Sequence, residues 1–174
     1  MSHEKAGATS TAHRLLRRML VIGDKQGFAR MVSEAVATGG RPSRVDAVSD
    51  PSRALERVRT WPGYDLVILG PGFSADDVVR FLDEARSHTL GSKAAYLTVA
   101  DSNHQQSEEV ATLMAAGIHG FISSPFDAAE CVRAVDLALG VQQRGSRARL
   151  TAATTLYLSE LFAGEDFEVR DGLS

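Results

Sequence analysis

Cysteine is almost missing from this chain: among its 174 residues only Cys131 carries a thiol. No disulfide can close within it, which fits a reducing, cytoplasmic setting. Long apolar runs are missing too, and none approaches the roughly 20 residues of a membrane-spanning helix. Near the start, Arg14, Arg17 and Arg18 precede the apolar stretch Met19 to Ile22, which Gly23-Asp24 ends too early for the core of a signal peptide. Nor is positive charge in excess. The formal net charge of -3 argues against a protein that coats nucleic acid through bulk electrostatics. The five histidines (His3, His13, His88, His104 and His119) show no paired ligand spacing, so no metal or cofactor is expected. With 44% hydrophobic and 24% charged residues, what remains suits one compact soluble domain with short appendages.

What is present is an alternation of short apolar runs and amphipathic stretches. Met19 to Ile22 reads as a buried parallel strand, followed by Phe28, Met31, Val32, Ala35 and Val36 at helical spacing up to Gly39-Gly40. Val45 and Ala47 suggest a second strand, and Asp50-Pro51 supplies a cap and first-turn proline for a helix with Ala54, Leu55 and Val58. Tyr64 to Gly70, bounded by Pro62-Gly63 and Pro71-Gly72, is the clearest strand in the chain. Ser74 caps a third helix bearing Val78, Leu82 and Ala85, and Ala94 to Val99 forms a fourth strand. A polar loop from Asp101 to Gln106 leads to a fourth helix with Val110, Leu113 and Met114 on one face. Gly117 ends it, Gly120 to Ile122 is a fifth strand, and Asp127 opens a fifth helix whose apolar positions 128, 131, 132, 135 and 138 make one stripe. Cys131 lies on that stripe as a core residue.

Five βα units in about 125 residues predict a doubly wound α/β fold, a parallel sheet with helices on both faces. The functional crevice of such a fold lies at the carboxyl ends of its strands, which gathers Gly23-Asp24, Gly70-Pro71-Gly72 and Thr98. Residues 1–17 read as a flexible arm, 18–141 as the domain, and 142–174 as a connector and C-terminal extension. In that extension Leu150, Ala153, Tyr157 and Leu161 outline a short amphipathic segment ahead of an acidic end. Arg144, Arg147 and Arg149 read as a solvated linker, with contact to an anionic partner as the alternative.

The order of four motifs carries a resemblance. Leu-Val-Ile-Gly-Asp at 20–24, Tyr-Asp-Leu-Val-Ile-Leu-Gly at 64–70, Tyr-Leu-Thr-Val-Ala-Asp at 96–101 and Ala-Gly-Ile-His-Gly-Phe-Ile-Ser-Ser-Pro-Phe at 116–126 together resemble the CheY-like receiver domain of bacterial response regulators. The stretch from Ala116 to Phe126 is the most specific part. The resemblance implies a flavodoxin-like (βα)5 sheet with strand order 2-1-3-4-5. It also implies a site of two acids after the first strand, an acceptor aspartate after the third, a hydroxyl after the fourth and a lysine before a proline after the fifth. In such a site carboxylates hold Mg²⁺, and the metal and lysine neutralise the transferring phosphoryl group.

Matched position by position, this chain keeps two of the five. Asp24 stands at the second acid and Thr98 at the hydroxyl, whereas Gly23 replaces the first acid, Gly70 the acceptor and Ser124 the lysine before Pro125. Glycine carries no nucleophile, so a degenerate pseudo-receiver is expected. Asp76 and Asp77 could stand in as displaced acceptors, but several residues past the acceptor position they suit the first turn of the third helix better. Asp24 reads as a helix cap, with a cation ligand as the alternative, and Thr98 as a strand-end hydroxyl or a residual switch group. Phe121 occupies the place of a receiver's aromatic rotor, or is an ordinary strand aromatic. Gly70-Pro71-Gly72 reads as a tight turn, since Pro71 removes one amide donor from any phosphate-binding loop.

The resemblance implies protein partners, a histidine kinase or a regulator, and a homodimer through the fourth-helix, fifth-strand, fifth-helix face. The residues after 141 leave too little length for a standard DNA-binding or enzymatic output domain, so no direct nucleic-acid contact, membrane contact or catalysis is expected. Phosphorelay through a displaced acid and small-molecule sensing are the alternatives.

Overall fold

A computed structural model describes residues 16–23, 27–40, 43–101 and 107–140. Of the arm read at 1–17, residues 1–15 lie outside the described residues, and Arg17 already belongs to the first strand; the connector, the amphipathic C-terminal segment and Asp24 also lie outside the described residues. Five strands form one parallel sheet in the order β2-β1-β3-β4-β5, the order the resemblance implies. They are β1 (Arg17–Ile22), β2 (Ser43–Val48), β3 (Leu66–Leu69), β4 (Ala95–Asp101) and β5 (Gly120–Ser124). The helices are α1 (Phe28–Thr38), α2 (Pro51–Arg59), α3 (Ala75–Arg86), α4 (Thr89–Lys93), α5 (Ser107–Ala116) and α6 (128–140).

The central strands are apolar throughout because both faces are covered: Met19 to Ile22 and Leu66 to Leu69 are wholly buried. Even residues of β1 face one core and odd residues the other. Met19 and Val21 join α1 and α6 through Phe28, Val32, Cys131 and Val135. Leu20 and Ile22 join α2, α3 and α5 through Val58, Leu82 and Leu113. The edge strand β2 is more exposed, so its pattern is mixed.

The helix starts behave as their sequences predict. The Asp50 carboxylate accepts from the Ser52 amide at 2.9 Å with Pro51 in the first turn. Ser74 and Asp77 form a reciprocal capping box on α3, and the Asp127 carboxylate accepts from the Glu130 amide at 2.7 Å. Gly117, at φ +109°, ends α5 in a conformation that a side chain would oppose.

Three expectations are corrected. The strand read from Tyr64 to Gly70 is regular only over Leu66–Leu69. Ahead of it, the Asp65 carboxylate turns back to accept from the Arg18 amide at 2.9 Å and the Arg17 guanidinium at 3.2 Å. A short helix, α4, stands where no helix is legible, because Gly91 and Ser92 are weak helix formers. It is held from outside: the Tyr96 hydroxyl donates to the Gly91 carbonyl at 2.7 Å, and Gly91 lies flat on the Ala85 carbonyl where no side chain fits. Third, Met114 is 49% exposed and not on the core face of α5, where Leu113 is buried. Among the described residues no helix is long and apolar enough to cross a membrane.

Candidate functional site

The carboxyl ends of β1, β3 and β4 bring together Gly23, Gly70 and Thr98, as the crevice rule predicts. The Gly23 amide donates to the Val48 carbonyl at 2.7 Å, and the Gly70 amide donates to the Ile22 carbonyl at 2.8 Å. Backbone from β1 and β3 therefore closes directly over the acceptor position. A Cβ at Gly70 would stand 2.8 Å from the Ile22 carbonyl oxygen, 3.0 Å from that of Gly23 and 3.2 Å from the Phe28 ring. Position 70 thus lacks room for a side chain as well as the side chain itself. A carboxylate there would also meet two carbonyl oxygens, which repel it.

Aromatic rings occupy the surroundings. Phe28 is fully buried beneath Gly70 and meets Phe126 edge to face, with ring centroids 4.9 Å apart. The Phe73 ring lies 3.6 Å from where a Cβ at Gly23 would stand, and Gly23 itself has φ +82°. Sequence reading placed Phe28 on a helical stripe and Phe126 at the end of a motif but missed this role for both, and it missed Phe73 altogether. One signal was available: each phenylalanine follows within a few residues of a site-forming strand end.

Mg²⁺ does not fit this donor set. Two of the three positions that would hold it are Gly23 and Gly70, and the backbone at Gly70 excludes a replacement ligand. Among the described residues no group of three or more His, Cys, Asp or Glu side chains could hold a metal ion. Asp76 is exposed in the first turn of α3. The Asp77 carboxylate is engaged by the Ser74 hydroxyl at 2.7 Å and the Ser74 amide at 3.3 Å. Those bonds hold it below the usual carboxylate pKa, and Arg80 stands 3.8 Å away.

The other half of the crevice is built differently. Thr98 is only 2% exposed and sits in register with Leu69 on one side and Phe121 on the other. Thr98 and the half-buried Phe121 line a hollow of about 200 Å³ together with Phe73, Val78, Val110 and Leu113. Ser124 ends β5, and its peptide bond to Pro125 is cis. One turn further, the Glu130 carboxylate accepts from the Ser123 amide at 3.0 Å. Just before β5, His119 Nδ1 accepts from the Tyr96 amide at 3.0 Å. Burial, reinforced by the Arg86 charge, lowers its pKa despite that bond. Arg86 itself lies across Gly117 and donates to the Ala116 carbonyl at 3.2 Å, tying α3 to the end of α5.

A larger cleft, about 680 Å³, opens between α2 and α3 beside Gly23. Leu55, Phe73 and Phe81 form its apolar walls, and Ser52, Asp77 and Arg80 contribute polar groups. Nothing in the local sequence pattern marks it, because it arises from the spacing of two helices.

No protein-family model matches the chain, and no curated protein matches it. Solved structures do. The chemotaxis response regulator CheY4 of Vibrio cholerae superposes with a TM-score of 0.57 at 17% identity, covering 70% of this chain and 97% of that one. A CheY-like receiver domain protein of Methanospirillum hungatei gives 0.58 at 15% identity, over 75% of this chain and 98% of that one. NtrX of Brucella abortus, solved with ATP, gives 0.62 at 17% identity over 78% of this chain but 29% of its own length. The chain has the fold of response-regulator receiver domains.

Proposed function

We propose that this chain is a pseudo-receiver, a cytoplasmic signalling module of the two-component type that acts through protein contacts, without aspartyl phosphorylation and without catalysis. The observation that carries it is the crowding at Gly70, where the Ile22 and Gly23 carbonyls and the Phe28 ring fill the acceptor's space. The lysine position holds Ser124 and the first-acid position holds Gly23, so the supporting electrostatics are missing as well. The partner is a histidine kinase, a regulator or a second copy, and nucleic acid is not contacted directly. The docking face is α5, β5 and α6, with Phe121 as its aromatic. It is supported by Met114 and Leu137, 49% and 58% exposed on α5 and α6. Intact mass after incubation with acetyl phosphate and Mg²⁺, beside an active receiver as control, tests it. No phosphoryl mass is expected. A base-labile adduct would overturn the proposal and point to Asp76 or Asp77.

A second reading, small-molecule sensing, is favoured by the cleft between α2 and α3, whose size lies within the range of ligand pockets. A thermal-shift screen of nucleotides and metabolites tests it, since a ligand bound to the folded state raises the midpoint.

A further inference from the structure

The amino-terminal edge of the sheet, opposite the crevice, carries a feature that the receiver reading leaves unused. Trp61, the one tryptophan of the chain, is 81% exposed there. It walls a hollow of about 430 Å³ with Arg18, Arg44, Arg57 and Tyr64. A second hollow of about 340 Å³ shares Arg18, Pro62 and Tyr64 with the first and reaches Leu16, Leu90 and Lys93. The two make one groove, aromatic in its walls and cationic at its rim.

The charges are unequal. The Asp46 carboxylate accepts from Arg44 at 3.0 Å and from the Tyr64 hydroxyl at 3.0 Å, with Arg18 at 3.6 Å. Burial alone would raise its pKa, yet the bonds from Arg44 and Tyr64 hold it below the ordinary value. One carboxylate thus serves two guanidinium groups, and Arg18 also stacks on Tyr64, 4.7 Å from the ring centroid. Arg57 and Lys93 add further positive charge, and Arg17 is paired with Asp65 at 3.2 Å. Even with Glu56 and Asp65 included, cations outnumber carboxylates around the groove.

The same chain carries a complementary segment. Residues 160–174 hold Glu160, Glu165, Asp166, Glu168 and Asp171 against a single Arg170, with Phe162 and Phe167 interleaved. The chain leaves the fold near the right edge. Val132 already meets Gly39 at the far end of α1, and the remaining residues of α6 extend beyond it by about 12 Å. Twenty-five residues separate position 140 from position 165, and a random coil of that length has an r.m.s. span of roughly 28 Å, comparable to the width of a domain this size.

We propose that the acidic segment 160–174 docks in cis on the groove around Trp61, its carboxylates on the arginine rim and an aromatic ring against Trp61 or Tyr64. Tethering supplies an effective concentration near the millimolar range, so weak contacts suffice to hold the segment in place.

Trp61 is its own reporter. Acrylamide quenching of its fluorescence is measured on the full chain and on the variant Glu165→Gln/Asp166→Asn/Glu168→Gln, whose changes fall outside the described residues. At low salt the full chain is expected to be about twofold less quenchable, as partial occupancy by a weak tethered ligand implies. The difference is expected to vanish in about 0.5 M salt, where charges are screened within a few ångströms. Arg57→Gln, on the receiving side, is expected to expose Trp61 to the same degree. Equal quenching of the full chain and the tail variant overturns the proposal. So does protection that disappears on dilution, which would place the segment on a second copy. Protection that survives tail neutralisation but is lost on removing residues 1–15 overturns it too, by assigning the cover to the N-terminal arm.

Discussion

The two halves of the crevice have diverged. On the β1–β3 side, backbone and the Phe28 ring close over Gly70 and leave no space for a side chain at that position, although a cleft opens beside neighbouring Gly23. On the β4–β5 side, Thr98 and Phe121, paired in register on adjacent strands, line a hollow of about 200 Å³ that α5 walls through Val110 and Leu113. Position 70 is packed shut, while a hollow remains between α5 and the ends of β4 and β5. A rearrangement of α5 against β4 and β5 therefore remains sterically accessible without any event at position 70. What teaches most is the asymmetry at two positions that both lack the receiver's charged group: Gly70 is walled in by backbone and the Phe28 ring, whereas beside Ser124's strand a hollow remains.

The largest effect that would break this comparison comes from Gly70→Asp. Overpacking a tight site costs about 1–3 kcal/mol, and burying a carboxylate against two carbonyl oxygens adds more, so a loss above about 3 kcal/mol is expected in urea denaturation. The same variant is expected to gain no phosphoryl mass from acetyl phosphate. A variant that folds normally and accepts phosphate would reopen the closed half. Pairing Gly70→Ala with Phe28→Ala sharpens the point. The double-mutant cycle is expected to show favourable coupling, since the Phe28 ring is one of the three contacts.

A smaller loss is expected in the open half. Phe121 is only half-buried, and its hollow already has free volume, so Phe121→Ala is expected to cost about 1–2 kcal/mol, below the range for fully buried phenylalanines. Urea midpoints of the two single variants, measured side by side, check the ranking. Equal costs would dissolve the contrast between the halves.

The smallest effect is a pH dependence centred on His119. Its folded pKa lies below the unfolded value, so the unfolded chain binds a proton more readily on acidification. The stability it contributes is complete above about pH 6.5 and is lost as pH falls towards the folded pKa. The thermal midpoint is expected to drop between about pH 7 and pH 5, and to drop less in His119→Gln. An identical slope in the two proteins would remove His119 as the cause.

How much of this was legible beforehand depends on the range of the forces involved. Strand and helix order was readable because short apolar runs ending in Gly23 and Gly70, and a helix stop at Gly117, are local signals, and caps such as Asp50, Ser74 and Asp127 reach only two or three residues. The absence of the acceptor was equally plain from Gly70. The crowding at that position was not, because it depends on how closely β1 and β3 approach, which no local pattern encodes. For the same reason α4 was missed: its support comes from Tyr96 and Ala85, on other elements. The cleft beside Gly23 and the groove around Trp61 are likewise products of how α2 sits against its neighbours.

The packing around Gly70 also bears on heredity. Two of the four glycine codons lie one base from an aspartate codon, so a change at position 70 alone is a short genetic step. Selection would nonetheless meet a misfolded protein before it met a phosphorylated one. Recovery would need the β1 and β3 ends to spread and Phe28 to shrink in the same lineage. The crowding at position 70 is thus a barrier that a single substitution there would not remove.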